Sequence, residues 1–153
     1  MINKMSNERG FSLTELIVVI GLIGLLSLLA VPSLLSYWQT STLTAGADQL
    51  AAVMNRARQL AIRSNTSVCV ERTGNNVRLR TVNCAGTIWT GIGTDSAGLI
   101  QMANNLQVSA ATANAIFTNV GGASTIGVYT VRDPQTTRTR TVTVSSSGQV
   151  TIQ

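Results

Sequence analysis

Arg9-Gly10-Phe11-Ser12-Leu13-Thr14-Glu15 runs directly into the apolar segment 16–31, and this junction decides the fold. From residue 16 to 47 there is no Lys, Arg, Asp or Glu, so the first half of the run can lie in hydrocarbon without burying a full charge. Glu15 is the single carboxylate at the mouth of that segment. Carrying it toward a bilayer centre costs about 2.5–3.5 kcal/mol, so a cationic partner is expected. The nearest cation would be the amine created at Phe11 by cleavage after Gly10. An ordinary secretory signal also combines a basic start with an apolar core, and it closes on a small-residue cleavage site that residues 24–30 imitate. Glu15 is a poor choice inside a discarded core, and the apolar periodicity continues far beyond it, so the segment reads as a retained anchor.

The chain has 153 residues, which is room for one modest domain once an anchor is set aside. Charged residues are 11% and aromatics 4% of the chain, with Thr, Ser, Asn, Gly and Ala abundant, a composition that suits a β-rich extracytoplasmic domain better than a cytosolic enzyme. Removing residues 1–10 takes away Lys4, Arg9 and Glu8, leaving nine basic and five acidic residues, a formal +4. A net charge of that size specifies no partner by itself.

Cys69 and Cys84 enclose 14 residues. An even count in a chain facing an oxidising compartment favours a disulfide over two buried thiols, and such a bridge contributes about 3 kcal/mol in the chain-entropy picture.

Leu43, Ala47, Leu50, Met54, Ala57 and Ala61 recur at intervals of four and three, an apolar stripe along one helix face, with Arg56, Gln59 and Arg63 off it. Beyond Thr66 the chain reads as short β-rich runs divided by Gly, Asn and Ser, and a sheet covering the stripe is the economical architecture. Pro32 cannot donate its N–H and Gly24 lowers helix propensity, so this stretch is expected to kink or break, passively or as part of a function. Residues 67–72 and 77–84 read as a hairpin around Thr73-Gly74-Asn75-Asn76. If Cys69 faces Cys84, Glu71 shares their face with Arg78 and Arg80, while Val68, Val70, Val77 and Leu79 share the other. Further strands are expected at 87–92, 98–102, 106–110, 115–118, 125–131, 138–144 and 149–152, the last two joined across 145–148.

The chain contains no His, and Asp48, Glu71, Asp95 and Asp133 are scattered singly. Nucleophile–base pairs, carboxylate pairs and common transition-metal clusters are therefore not expected, nor is any cofactor. Gly121-Gly122 lacks the further Gly and Lys of a phosphate loop and reads as a turn. Arg138 and Arg140 alternate along a strand, a spacing that sets two guanidinium groups side by side toward phosphates. The plainer reading is a solvated rim, since the same parity leads into Val142 and Val144.

Gly10-Phe11-Ser12-Leu13-Thr14-Glu15-Leu16 resembles the class III signal of type IV pilins and type II secretion pseudopilins. The resemblance implies that a prepilin peptidase cuts between Gly10 and Phe11 and methylates the amine of Phe11, that Lys4 and Arg9 belong to a cytoplasmic leader, and that Glu15 serves assembly. It further implies that the Gly24 and Pro32 stretch loses helix when subunits pack into a filament. A narrower similarity, to the GspH/FimT family of minor pilins and pseudopilins, rests on Ala57-Arg58-Gln59-Leu60-Ala61-Ile62-Arg63-Ser64-Asn65-Thr66-Ser67-Val68. Three later landmarks follow in the family's order: Trp89-Thr90-Gly91, Ile116-Phe117-Thr118-Asn119-Val120-Gly121, and residues 142–150.

The expected protein is of the α+β class and pilin-like, with a long kinked helix packed on a small antiparallel β domain. Its divisions are a leader (1–10), a transmembrane assembly helix (11–35), an amphipathic helix half (36–65) and a periplasmic β domain (66–153). It would cross the inner membrane once and join a pilus or pseudopilus, as a minor subunit that primes a type IV pilus or type II secretion pseudopilus. Its partners would be other subunits, the prepilin peptidase and the assembly platform. The alternative is DNA binding in natural transformation through Arg138 and Arg140, as in some members of the family, although Gln149-Val150-Thr151 stands after Gly148 where such a member would offer Arg.

Overall fold

A computed structural model describes residues 11–153; the leader 1–10, with Gly10, lies outside the described residues. Helix α1, Leu13–Ser64, is followed by strands β1 (Val68–Thr73), β2 (Asn76–Thr81), β3 (Leu99–Ile100), β4 (Gln107–Ala111), β5 (Ala115–Phe117), β6 (Ala123–Thr125), β7 (Gly127–Arg132), β8 (Thr139–Val144) and β9 (Val150–Ile152). The chain divides into two units, Met1–Trp38 and Gln39–Gln153.

In the first unit the described residues are the start of α1, and their large apolar side chains, from Phe11 to Trp38, are all exposed. Residues through Gly24 and Pro32 stay helical. The weakness expected there is thus not expressed as an interruption. Proline removes one hydrogen-bond donor, that to the carbonyl of residue 28, and the turns on either side retain theirs.

In the second unit every residue of the predicted stripe, Leu43, Ala47, Leu50, Met54, Ala57 and Ala61, is buried, together with Gly46 and Val53. The stripe is covered by two antiparallel sheets, ordered β3-β2-β1-β5-β6 and β4-β7-β8-β9. Val68, Val70, Val77, Leu79, Ala115 and Phe117 from the first sheet and Val108, Tyr129, Val131, Val142 and Val144 from the second complete one core with it. Gly46 is buried because Leu106 leans on the helix where a Cβ would stand.

The Tyr129 phenol joins the sheets. Its hydroxyl accepts a hydrogen bond from the Ala115 N–H at 2.7 Å and donates to the Val70 carbonyl at 2.7 Å. Val70 and Ala115 are themselves cross-strand partners, so a hydroxyl from β7 is set into the end of the β1–β5 ladder. Burial pushes this phenol up to about 12.

The strand expectations need three adjustments. Residues 87–92 form no strand; only Ile88 bridges to Arg80. β6 was not anticipated, being three residues long between glycine-rich turns. β2 ends at Thr81 rather than at residue 84, because Val82 takes a left-handed backbone with φ of 75° and turns the chain out of the sheet.

Candidate functional site

The helix mouth is built from Phe11, Ser12, Leu13, Thr14 and Glu15. Ser12 precedes the first helical residue, and Glu15 is third in the helix. The Glu15 carboxylate accepts the Ser12 N–H at 3.3 Å, one arm of a capping box, and a carboxylate in the first turn also suits the positive end of the helix dipole. Phe11 is 85% exposed and Glu15 is exposed as well. The side chains of Phe11 and Glu15 are therefore both open to a neighbour. By length and composition α1 contains an apolar window able to cross a membrane, and none of that window is buried. A Cβ added at Gly24 would meet nothing within 4 Å, so packing within the chain does not require glycine there.

Cys69 and Cys84 form a disulfide with Cα atoms 5.1 Å apart. The two are not cross-strand partners: Cys69 opposes Arg80, and Cys84 reaches it from the loop after β2. The predicted sharing of faces holds. Glu71 accepts from Arg78 Nε and Arg80 Nε at 2.6 Å each, and these guanidinium groups, Arg78 foremost, hold its carboxyl below the usual carboxylate range. Arg80 also donates to the Gly86 carbonyl at 2.7 Å, so the cluster fastens the loop that carries Cys84.

The landmark motifs acquire a physical reason. Arg58 lies against the turns at Gly121 and Gly148, both in the left-handed region with φ of 86° and 77°; a Cβ on either would sit 3.3 Å from Arg58 Nε, and one on Gly148 would strike the Gly121 carbonyl. The Ala123 N–H donates to the Ser146 carbonyl at 2.9 Å and draws the two turns together. In Trp89-Thr90-Gly91, a Cβ at Gly91 would collide with the Trp89 ring, which folds back over it. The ring also meets the Arg56 guanidinium, 4.5 Å from the ring centroid, and Arg56 Nη1 donates to the Ile92 carbonyl. Helix spacing had placed Arg56 only off the apolar stripe; no local pattern joins it to a tryptophan 33 residues on.

Arg138 and Arg140 do not form a free basic pair on the strand. Arg138 precedes β8, and its Nη1 donates to Thr40 Oγ1 on the helix at 2.8 Å. Arg140 is half-buried opposite Val131, on the parity that leads to buried Val142 and Val144. Among the described residues no group of three or more His, Cys, Asp or Glu side chains comes together to hold a metal ion.

Comparison with known proteins connects these features. A family profile described as type II transport protein GspH matches residues 46–148, and one described as the prokaryotic N-terminal methylation motif matches residues 5–31. Among solved structures, the type IV minor pilin FimU of Pseudomonas aeruginosa is similar at 18% identity and a TM-score of 0.53, over 76% of this chain and 92% of that one. The minor pseudopilin EpsH from the type 2 secretion system of Vibrio cholerae is similar at 11% identity and a TM-score of 0.53, over 72% of this chain and 95% of that one. At these identities the likeness concerns the fold. No curated protein matches the chain.

Proposed function

The chain belongs to the GspH family of minor pilins and pseudopilins, and from that premise we propose that it primes the assembly of a type IV pilus or a type II secretion pseudopilus as a minor subunit. A prepilin peptidase cuts between Gly10 and Phe11 and methylates the new amine of Phe11. Residues 11–35 then hold the subunit in the inner membrane, and residues 66–153 fold in the periplasm, joined by the helix half 36–65. On extraction by the assembly platform, Glu15 leaves its local bond to Ser12 and pairs with the Phe11 amine of a neighbouring subunit, which sets the register between subunits.

The observation that carries this reading is the continuity of one helix across both matches. The methylation motif covers its beginning, the GspH match begins at residue 46 on its buried stripe, and α1 joins them without a gap. The stretch between Gly24 and Pro32 is proposed to lose helix in the filament. Gly24→Ala, which adds about 1 kcal/mol of helix propensity where nothing obstructs the methyl group, should slow incorporation while leaving membrane insertion intact. Equal incorporation of the variant and the wild type would remove this part of the proposal.

No catalytic role is assigned to the chain, which is instead a substrate of the peptidase. DNA binding through Arg138 and Arg140 gains no support from their positions, one bonded to the helix and one half-buried. The test is a clean deletion compared with its complemented strain. Surface pili and the secreted proteome are measured together, and loss of either, restored by the wild-type chain, is expected. If both persist undiminished in the deletion, the priming role is wrong.

A further inference from the structure

We propose that the cleft between the last turns of α1 and the loop 82–98 is a carboxylate-binding site that receives an acidic segment of a neighbouring filament subunit. The choice of occupant rests on the assembly role above. Arg56, Gln59, Leu60, Arg63 and Trp89 line the cleft, which holds about 210 Å³. The four helix residues fall at i, i+3, i+4 and i+7, so one face of two turns supplies a whole wall.

The two cations in this wall differ in freedom. Arg56 is fixed by the Trp89 ring and the Ile92 carbonyl, so its charge is held in place before any partner arrives. Arg63 is exposed, and among the described residues it forms no ion pair. Among the described residues no Asp or Glu lines the cleft. The acidic groups of this part of the fold are engaged elsewhere: Glu71 between Arg78 and Arg80, and Asp95 accepting the N–H groups of Ala97 and Leu99. Two like charges facing one concavity without an internal counter-ion make a site for an anion, and the planar fork of Arg matches a carboxylate.

The rest of the lining favours a polypeptide as the bearer of that anion. Leu60 and the Trp89 ring give an apolar floor for the methylene stem of Asp or Glu. Ile92, 89% exposed, stands at the rim because its own carbonyl is held by Arg56, and it offers a contact for an apolar neighbour of the acid. A nucleic acid would need cations continuing along its backbone. Here Arg78 and Arg80 are neutralised by Glu71, Arg72 is turned to the Val108 carbonyl and Arg58 lies against the Gly121 and Gly148 turns, so among the described residues these arginines extend no basic track from the cleft.

The test uses the full chain in detergent micelles, with the indole N–H of Trp89 and the Nε–H of Arg63 followed by NMR. The probes are a short peptide with a Leu-Glu-Asp-Leu core, its Gln-Asn counterpart, and a short DNA duplex. The acidic peptide should move both signals, and Arg63→Gln should weaken its binding about fivefold, the upper end for an exposed charge pair. In cells, Arg63→Glu should lower the share of the chain recovered in filaments by a similar factor, with the Cys69–Cys84 disulfide and total protein unchanged, and Arg63→Lys, which keeps the charge but not the fork, should fall between Arg63→Glu and wild type. The site is refuted if Arg63→Glu is incorporated as well as the wild type, or if the amide peptide or the duplex moves the signals as strongly as the acidic peptide. Absence of the wild-type chain from filaments would instead overturn the assembly role, a separate failure.

Discussion

Replacing Tyr129 by Phe removes one oxygen and leaves the ring, so it isolates the hydroxyl set into the β1–β5 ladder. That hydroxyl accepts from Ala115 and donates to Val70, and Tyr129, Ala115 and Val70 are all fully buried. The variant leaves a backbone N–H and a backbone carbonyl facing each other across the space of the lost oxygen. An unsatisfied buried group costs about 1–3 kcal/mol, so two cost about 2–4 kcal/mol if the strands close part of the gap. For a domain of this size that is a fall in Tm of about 10 °C or more. The assay is thermal unfolding of the full chain in detergent, followed by near-UV circular dichroism, which reports packing in the β domain. Linkage gives a second readout. The phenol's folded value is raised, so its stabilisation is whole below pH 10 and declines as pH rises toward about 12; Tyr129→Phe should lose that alkaline decline. A Tm within about 2 °C of wild type, with the alkaline decline intact, would refute the bridging role of the hydroxyl.

The remaining predictions concern the first sheet. Replacing Cys69 and Cys84 together by Ser should cost about 3 kcal/mol, seen as an earlier denaturant midpoint, and should free the loop that carries Trp89 so that its fluorescence becomes more accessible to quenchers. An unchanged midpoint would show that the bridge is idle. Glu71 has a depressed folded value, so its contribution is whole above the ordinary carboxylate range and is lost as pH falls through that lowered value. Glu71→Gln should therefore flatten the acid limb of the stability curve, and an acid limb identical to wild type would place the sensitivity in another carboxylate.

The helix of the second unit was legible because burial on a helix face imposes a 3.6-residue period, and all six stripe positions are buried. What the spacing omitted was Gly46, whose burial is decided by Leu106, sixty residues later. The first hairpin was legible by face, since alternation fixes which side chains travel together. The end of β2 was not, because it depends on a left-handed Val82 that no turn residue announces. Residues 87–92 have the composition of a strand, yet Trp89 folds over Gly91 and meets Arg56, contacts without local signature. In sequence the glycines of the later landmarks stand out only by their order; in the fold Gly121 and Gly148 leave room for each other and for Arg58. Strand parity sets Arg138 and Arg140 side by side, but the first lies outside the strand and its guanidinium is tied to Thr40.

The central claim is that Glu15 is an assembly residue at the mouth of a membrane helix, and the most direct measurement compares Glu15→Val with the wild type in the same cells. Membrane insertion, cleavage after Gly10 and the share of mature chain in the filament fraction are scored together. The account predicts normal insertion and cleavage with a marked loss of filament-associated chain. Full incorporation of Glu15→Val would contradict it.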